Sequence, residues 1–157
     1  MKRSRDEIEA IVGELSGTTV NPLEPTAAQL RALLEVDRDG PLQFLNLLAY
    51  HPAARYPEGH PLATAGSTGA AAYALYGAVA LRHVTARGGR FVLFNTVVAQ
   101  VIGTPVDWHQ IAIMQYPNVD AFLDMVRDAD YRAALVHRDA GLVRTEVFAT
   151  RPLLPPG

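Results

Sequence analysis

Side chains that could handle protons recur in one stretch of the sequence, between residues 73 and 87. Tyr73, Tyr76 and His83 are spaced by three and seven residues, so a helix would place them on one face, and Arg87 follows four residues later. Phenol groups donate and accept hydrogen bonds, and an imidazole changes its protonation near neutral pH. We therefore predict Tyr76 and His83 as catalytic residues for proton transfer and Tyr73 as a ligand-binding residue. The alternative is that both tyrosine rings pack in the core and only their hydroxyls reach its edge.

Three further polar residues fall within or beside apolar segments that are typical of strands. Asn46 stands in the middle of the run from 42 to 50, Asn95 lies in a second such run, and His109 opens a third. A buried amide needs a hydrogen-bond partner, which for Asn46 is either a neighbouring backbone group or a ligand. We predict Asn46, Asn95 and His109 as ligand-binding residues. The alternative is a structural bond for Asn46, a structural bond or contact with solvent for Asn95, and a solvated strand end for His109.

Several kinds of catalytic chemistry lack the residues that they require. The chain has no cysteine, and Lys2 is its only lysine. Thiolate metal sites, cysteine nucleophiles and a buried Schiff-base lysine are therefore excluded. The sequence contains no glycine-rich phosphate loop and no H-E-x-x-H zinc motif. We predict that the protein uses neither a metal nor a cofactor.

The charge balance argues against two classes of partner. Lys and Arg number 14 and Asp and Glu 16, which gives a net charge of −2. A chain without excess positive charge is not expected to bind nucleic acid or a membrane surface. Lys2 and Arg3 are followed by Asp6 and Glu7 rather than by an apolar segment, so the start does not resemble a secretory signal. We therefore expect a cytoplasmic location.

Hydrophobic spacing and turn residues divide the 157 residues into a short extension and one domain. An amphipathic helix over residues 5–15 and a second helix that begins at Thr26 form an N-terminal helical extension, residues 1–40. The second segment, residues 41–152, is predicted as a single domain. We predict its elements in this order: strand Leu42–Tyr50, a helix from about residue 67 to Arg87, strand Phe91–Ile102, strand Trp108–Tyr116, a helix from Asn118 to Gly141 with a kink at Asp128, and strand Leu142–Thr150.

This β-α-β-β-α-β order predicts an α+β, ferredoxin-like fold, in which both helices cover one face of a four-stranded antiparallel sheet. The third strand is apolar on both of its faces, because Ile111 and Ile113 share one face and Ala112 and Met114 share the other. The face without helices therefore needs a covering partner. We predict that a second copy of the sheet provides it and that the protein is a homodimer.

Short motifs spread along the chain resemble one family. These motifs are Phe44-Leu45-Asn46-Leu47-Leu48, Ala72-Tyr73-Ala74-Leu75-Tyr76-Gly77, Gly88-Gly89, Tyr116-Pro117-Asn118 with Phe122, and Asp130-Tyr131 with His137-Arg138. In this order they are similar to the landmarks of the DUF1330 group within the dimeric α/β-barrel proteins, over about residues 22–152. The resemblance implies a dimeric α/β barrel. Related barrels include cofactor-independent monooxygenases, isomerases, polyketide cyclases and haem-binding enzymes.

Three functions are compatible with these observations. The first is an enzyme, similar to a cofactor-independent monooxygenase or an isomerase, that transforms a small hydrophobic or aromatic molecule without metal. The second is a non-enzymatic protein that binds such a molecule, and the third is a structural oligomerisation domain. Haem is a further alternative, with His83 or His109 as its axial ligand. For the first two functions we expect a cavity between the sheet and the first helix of the domain.

Overall fold

The computed structural model describes residues 1–17 and 20–154, so residues 18–19 of the predicted extension and 155–157 of the tail lie outside the described residues. The described part contains five helices and four strands. The helices are α1 (Arg5–Leu15), α2 (Ala27–Leu34), α3 (Gly69–Ala86), α4 (Val119–Arg127) and α5 (Ala129–Gly141). The strands are β1 (Leu42–Tyr50), β2 (Arg90–Thr96), β3 (Gln110–Tyr116) and β4 (Leu142–Thr150).

The four strands form one antiparallel sheet in the order β2-β3-β1-β4. This topology and the order of the elements confirm the predicted ferredoxin-like fold. The predicted kink at Asp128 is a complete break between α4 and α5. There the carboxylate of Asp128 accepts the backbone N–H groups of Asp130 and Tyr131 and so caps the N-terminus of α5.

Two glycines allow α3, α5 and the end of β1 to meet. A Cβ atom on Gly69 would lie 2.2 Å from the backbone oxygen of His51, and one on Gly141 would lie 2.5 Å from the backbone oxygen of Gly69. Backbone groups cannot yield as a flexible side chain can, so only glycine fits at these two positions. The contact fixes the start of α3 beside the C-terminal end of β1.

The segment between β2 and β3 corrects the predicted strand ends. We expected strands to run to Ile102 and to resume at Trp108, but Val97–His109 is a loop. The side chain of Gln100 donates to the backbone oxygens of Ile102 and Thr104, at 3.2 and 2.7 Å, and accepts the backbone N–H of Val106 at 3.0 Å. These local bonds replace the strand pairing that the β-branched composition favours.

The sheet has one covered face and one open face. Phe44 lies on the covered face and stacks on Phe122 of α4, with ring centroids 4.6 Å apart. The register places six apolar side chains on the opposite face: Leu45, Leu47, Leu93, Ile111, Ile113 and Phe148. They are half-buried or exposed, and the exposed fraction of Phe148 is 52%. We call this surface the open face.

The N-terminal extension packs on the helical side of the domain. The side chain of Arg3, only 1% exposed, donates to a carboxylate oxygen of Asp120 at 2.5 Å and to the backbone oxygen of Leu34. Glu14 pairs with Arg127 of α4 at 2.7 Å. The extension therefore contributes to the same hydrophobic core as the domain, with Ile8 and Val12 buried in it.

None of the described helices combines the length and the apolar character needed to cross a membrane.

Candidate functional site

Six aromatic rings follow one another from the end of β1 to the end of α3. Consecutive ring centroids lie 5.8, 5.4, 5.3, 6.0 and 6.0 Å apart. In order along this tyrosine row the rings belong to His109, Tyr50, Tyr73, Tyr76, Tyr131 and His83. These separations are typical of aromatic pairs in contact. The row therefore joins four of the six residues that we predicted as site residues.

The phenols in the middle of the row are buried and neutral. The hydroxyls of Tyr76 and Tyr131 are hydrogen-bonded to each other at 2.8 Å. Burial raises the pKa of Tyr73, Tyr76 and Tyr131. The hydroxyl of Tyr73, a residue that is 8% exposed, has no hydrogen-bond partner within residues 1–17 and 20–154. Tyr73 can therefore donate a hydrogen bond, but it cannot act as a base near neutral pH.

His83 lies at the far end of the row, in a cluster of charged side chains. Its Nε2 is 2.7 Å from a carboxylate oxygen of Asp130, and its Nδ1 is 2.9 Å from the guanidinium of Arg87. Because Arg87 can only donate, Nδ1 is the acceptor and Nε2 carries the proton in this arrangement. Both ring nitrogens of His83 are thus bonded to protein. His83 reaches Tyr76 only through the ring of Tyr131.

Asn46 and Asn95 lie on opposite faces of the sheet, so the structure does not bring them together. Asn46 is 8% exposed on the covered face, and its amide donates to the backbone oxygens of Phe44 and Ala112 at 3.0 and 3.3 Å. The structural bond that we considered as an alternative is therefore present. The side-chain oxygen of Asn46 has no protein partner in the described part of the chain. Asn95 pairs with Ile111 and is exposed on the open face.

An open cleft of about 460 Å³ lies at the His109 end of the tyrosine row. It is lined by Ala49, Tyr50, Pro52, Asp107, His109, Val143 and Arg144. His109 accepts the backbone N–H of Tyr50 on Nδ1 at 2.9 Å, so in this arrangement its Nε2 carries the proton. The guanidinium of Arg144 lies 4.5 Å from the ring centroid of Trp108. The cleft thus combines apolar walls with one imidazole N–H, one cation and one carboxylate.

A second cleft, of about 500 Å³, lies between α1 and α2. Five of its six lining residues are arginines or glutamates on or beside these helices, and Glu9 and Arg31 there pair with each other at 2.7 Å. Neither cleft lies between the sheet and α3, where we expected a cavity. The rings of Tyr73 and Tyr76 pack in this region.

Sequence reasoning missed Tyr50, Tyr131 and Arg144. Tyr50 shares the strand parity of Asn46, and this signal could have placed both on the covered face. Tyr131 stands in one of the motifs quoted above, but its pairing with Tyr76 depends on how α3 and α5 pack. Arg144 reaches the cleft through its pairing with Ala49 in the register of β1 with β4, which no local pattern predicts.

Comparison with known proteins finds one matching family model and several similar structures. The model of DUF1330, described as a domain of unknown function, matches residues 59–150. The RPA0582 protein of unknown function from Rhodopseudomonas palustris is 33% identical over 87% of this chain and 100% of its own, with a TM-score of 0.75. A structure of the methylated RPA0582 protein is 34% identical over 86% of this chain and 97% of its own, with a TM-score of 0.76.

A more distant structure is that of SnoaB, a cofactor-independent oxygenase from Streptomyces nogalater. It is 16% identical over 74% of this chain and 98% of its own, with a TM-score of 0.44. Among curated proteins, none matches this chain significantly.

Proposed function

The chain belongs to the DUF1330 family of domains of unknown function, and we propose that it binds a small hydrophobic or aromatic molecule in the cleft at the end of β1. The observation that carries the proposal is the continuity between this cleft and the tyrosine row, through the ring of Tyr50. The cleft volume of about 460 Å³ falls within the range of roughly 300–1,000 Å³ that small-molecule sites occupy.

The lining of the cleft supports an aromatic or hydrophobic ligand with one polar group. Val143, Pro52 and the ring of Tyr50 offer apolar contact. The Nε2–H of His109 and the guanidinium of Arg144 are donors for a ligand oxygen, and the carboxylate of Asp107 is an acceptor. Small-molecule sites usually combine apolar walls with a small number of convergent polar groups.

In the enzymatic form of this proposal, the protein transforms the ligand in an isomerase-like or cofactor-independent monooxygenase-like reaction. His109 would be the group that exchanges a proton with the ligand, because it lines the cleft and its Nδ1 is already bonded to the backbone of Tyr50, which leaves Nε2 for the ligand. Tyr76 and His83 would act as positioning residues, since Tyr131 holds Tyr76 in the middle of the row and Asp130 holds His83 at its far end. In the alternative, the same cleft binds the ligand without converting it.

We further propose that two copies associate through the open face. Six apolar side chains meet there without a covering element in the described part of the chain. Contiguous apolar patches beyond a few hundred Å² usually mark an interaction site. Leu45 and Ile113, which are paired neighbours in β1 and β3, lie at the centre of this surface.

A ligand-observed NMR measurement tests the proposed site, with salicylate, hydroquinone and hexanoate as probes. We expect saturation transfer to at least one probe, and an affinity at least tenfold weaker in Arg144→Gln. Arg90→Gln is the matched control, because Arg90 is also an exposed strand arginine but lies outside the lining of the cleft. No binding of any probe, or equal weakening in both variants, would reject the site.

The same samples distinguish the enzymatic form from binding alone. Spectra recorded over a day, with and without oxygen, show conversion of the bound probe if the protein is an enzyme. Conversion should be lost in His109→Gln while Tyr76→Phe changes the affinity and the rate together. Binding with an unchanged probe supports the non-enzymatic alternative.

A structural oligomerisation domain is the second candidate function. The hydrogen bond between Tyr76 and Tyr131 and the two bonded nitrogens of His83 favour it, because these polar groups already satisfy one another. This function predicts a dimer that binds none of the three probes.

A further inference from the structure

The loop Val97–His109 between β2 and β3 presents apolar side chains to solvent. We call this loop the arm. Val98, Val101 and Ile102 are 94%, 89% and 89% exposed. No charged residue occurs between positions 97 and 106, and the hydrogen bonds of Gln100 hold the tip in one shape. An ordered, uncharged tip with three exposed β-branched residues is suited to contact with protein rather than with water.

The open face alone is small for a stable interface. Strands of seven to nine residues in a four-stranded sheet cover about 510 Å² in projection, from a strand spacing of ~4.8 Å and a rise of ~3.3 Å per residue. A standard interface buries about 800 Å² on each partner. A dimer through the open face therefore needs further contact area, and the exposed arm is an apolar surface next to it.

The cleft and the base of the arm lie at the same end of the sheet. The backbone N–H of His109 donates to the backbone oxygen of Leu48 at 2.8 Å, and Leu142 pairs with Tyr50. The arm thus leaves the sheet beside the end of β1 and the start of β4. Val143, in the cleft at the start of β4, is 55% exposed.

Strand order indicates where the arm would reach on a second copy. The edges of the sheet are β2 and β4. Two sheets can pack face to face about a two-fold axis that runs parallel to the strands. In that arrangement β2 of one copy lies over β4 of the other, and the end of the sheet that carries the arm lies over the same end of the partner's sheet. The arm then reaches the start of the partner's β4. An axis across the strands would instead bring the apolar tip to the charged Arg90 at the start of the partner's β2.

We propose that the arm of one copy closes the ligand cleft of a second copy, with Val101 and Ile102 against the partner's Val143. This inference rests on the dimer and the site proposed above. Asp107, Val143 and Arg144 are exposed in the single chain, so the cleft is open on that side. Ligand sites usually bury about 70–90% of the surface of a small molecule. The arm would supply the missing wall, and each site would belong to both copies.

Cross-linking between copies tests the proposal directly, because the chain has no cysteine of its own. Two differently tagged chains, Ile102→Cys and Val143→Cys, are mixed, allowed to exchange, and treated with a short bismaleimide. We expect a covalent dimer that carries both tags. Leu81→Cys replaces Val143→Cys in the matched control, since Leu81 is 46% exposed on α3, on the helical side. This control pair should give no cross-link above background.

The possible results distinguish a failure of the proposed arm contact from a failure of the proposed dimer. Cross-linking of Ile102→Cys to Arg90→Cys, or none at all in a sample that light scattering shows to be dimeric, would overturn the arm contact and leave the open-face dimer standing. A monomeric sample would overturn both.

The single tryptophan provides a second measurement in the folded protein. Trp108 lies at the base of the arm, beside the cleft. We expect Val101→Asp combined with Ile102→Asp to shift its emission to the red and to increase its quenching by acrylamide at least twofold, because the partner's arm no longer covers it. Both substitutions fall on exposed loop residues, so the fold should persist. Unchanged emission and quenching would contradict the proposal.

Discussion

Tyr76 and Tyr131 are joined by a buried side-chain hydrogen bond that contributes to the stability of the core. Their hydroxyls lie 2.8 Å apart, and burial raises both pKa values. Tyr76→Phe leaves the Tyr131 hydroxyl buried without a partner, which costs about 1–3 kcal/mol. Replacing both residues by Phe should cost less than the sum of the single changes, because no polar group is then stranded. Urea unfolding at pH 7 measures these free energies. Strictly additive losses would show that the bond contributes nothing.

His137 makes the stability of the protein depend on pH. Its Nδ1 lies 2.8 Å from the hydroxyl of Tyr56, and burial together with His60 lowers the pKa of His137 below its usual value of 6.5. The folded state therefore holds the proton less tightly than the unfolded state. The stabilisation is fully present above pH 6.5 and is lost as the pH falls through the folded pKa.

Unfolding free energies at pH 7.5 and 5.5 test this prediction. The loss on acidification should be smaller in His137→Gln than in the native chain. His51→Gln provides a comparison, since burial and Arg55 lower the pKa of His51 as well. An identical loss in the native chain and in His137→Gln would contradict the assignment to His137.

Two glycines of the same helix have opposite structural roles. A Cβ atom on Gly69 would meet the backbone of His51 at 2.2 Å, whereas a Cβ atom on Gly77 would have no atom within 4 Å. Gly69→Ala should therefore destabilise the protein severely, by roughly 3 kcal/mol or more, because α3 must move away from β1. Gly77→Ala should stabilise it by about 0.5–1 kcal/mol through helix propensity. Thermal melting of both variants checks the pair, and equal melting temperatures would refute the contrast.

The order of the elements was predictable because each carries a local signal. Thr26 and Gln29 form the capping box that the sequence indicates, and Gly88 ends α3 with a φ of +75°. The arm was not predictable in the same way. Its β-branched residues favour a strand, but a strand also needs a partner, and the hydrogen bonds of Gln100 to its own loop prevent pairing.

The candidate site was predictable only in part, for a related reason. Helical spacing correctly placed Tyr73, Tyr76 and His83 on the same side of α3, since all three contact other rings of the tyrosine row. Their partners come from distant parts of the sequence. Tyr131 and Asp130 belong to α5, and the bond from Tyr50 to His109 joins residues 59 positions apart. Such partners follow from packing, which local patterns do not contain.

At the scale of the whole molecule, the open face predicts the oligomeric state. Light scattering should give twice the chain mass of 17.0 kDa. Ile113→Arg places a charge at the centre of the open face and should produce monomers, because an unpaired charge is costly to bury in an apolar interface. Leu81→Arg is the matched control on the helical side and should remain dimeric. If the native protein has the mass of one chain at all concentrations, the dimer is excluded.

The most direct test of the proposed function is a crystal structure of the protein soaked with the probe that binds best in solution. We predict density for the probe between Tyr50, His109 and Arg144, with its oxygen within hydrogen-bond distance of the His109 Nε2 or the Arg144 guanidinium. A cleft that contains only water at a saturating concentration of the probe, or density for the probe only elsewhere on the protein, would contradict the proposed site.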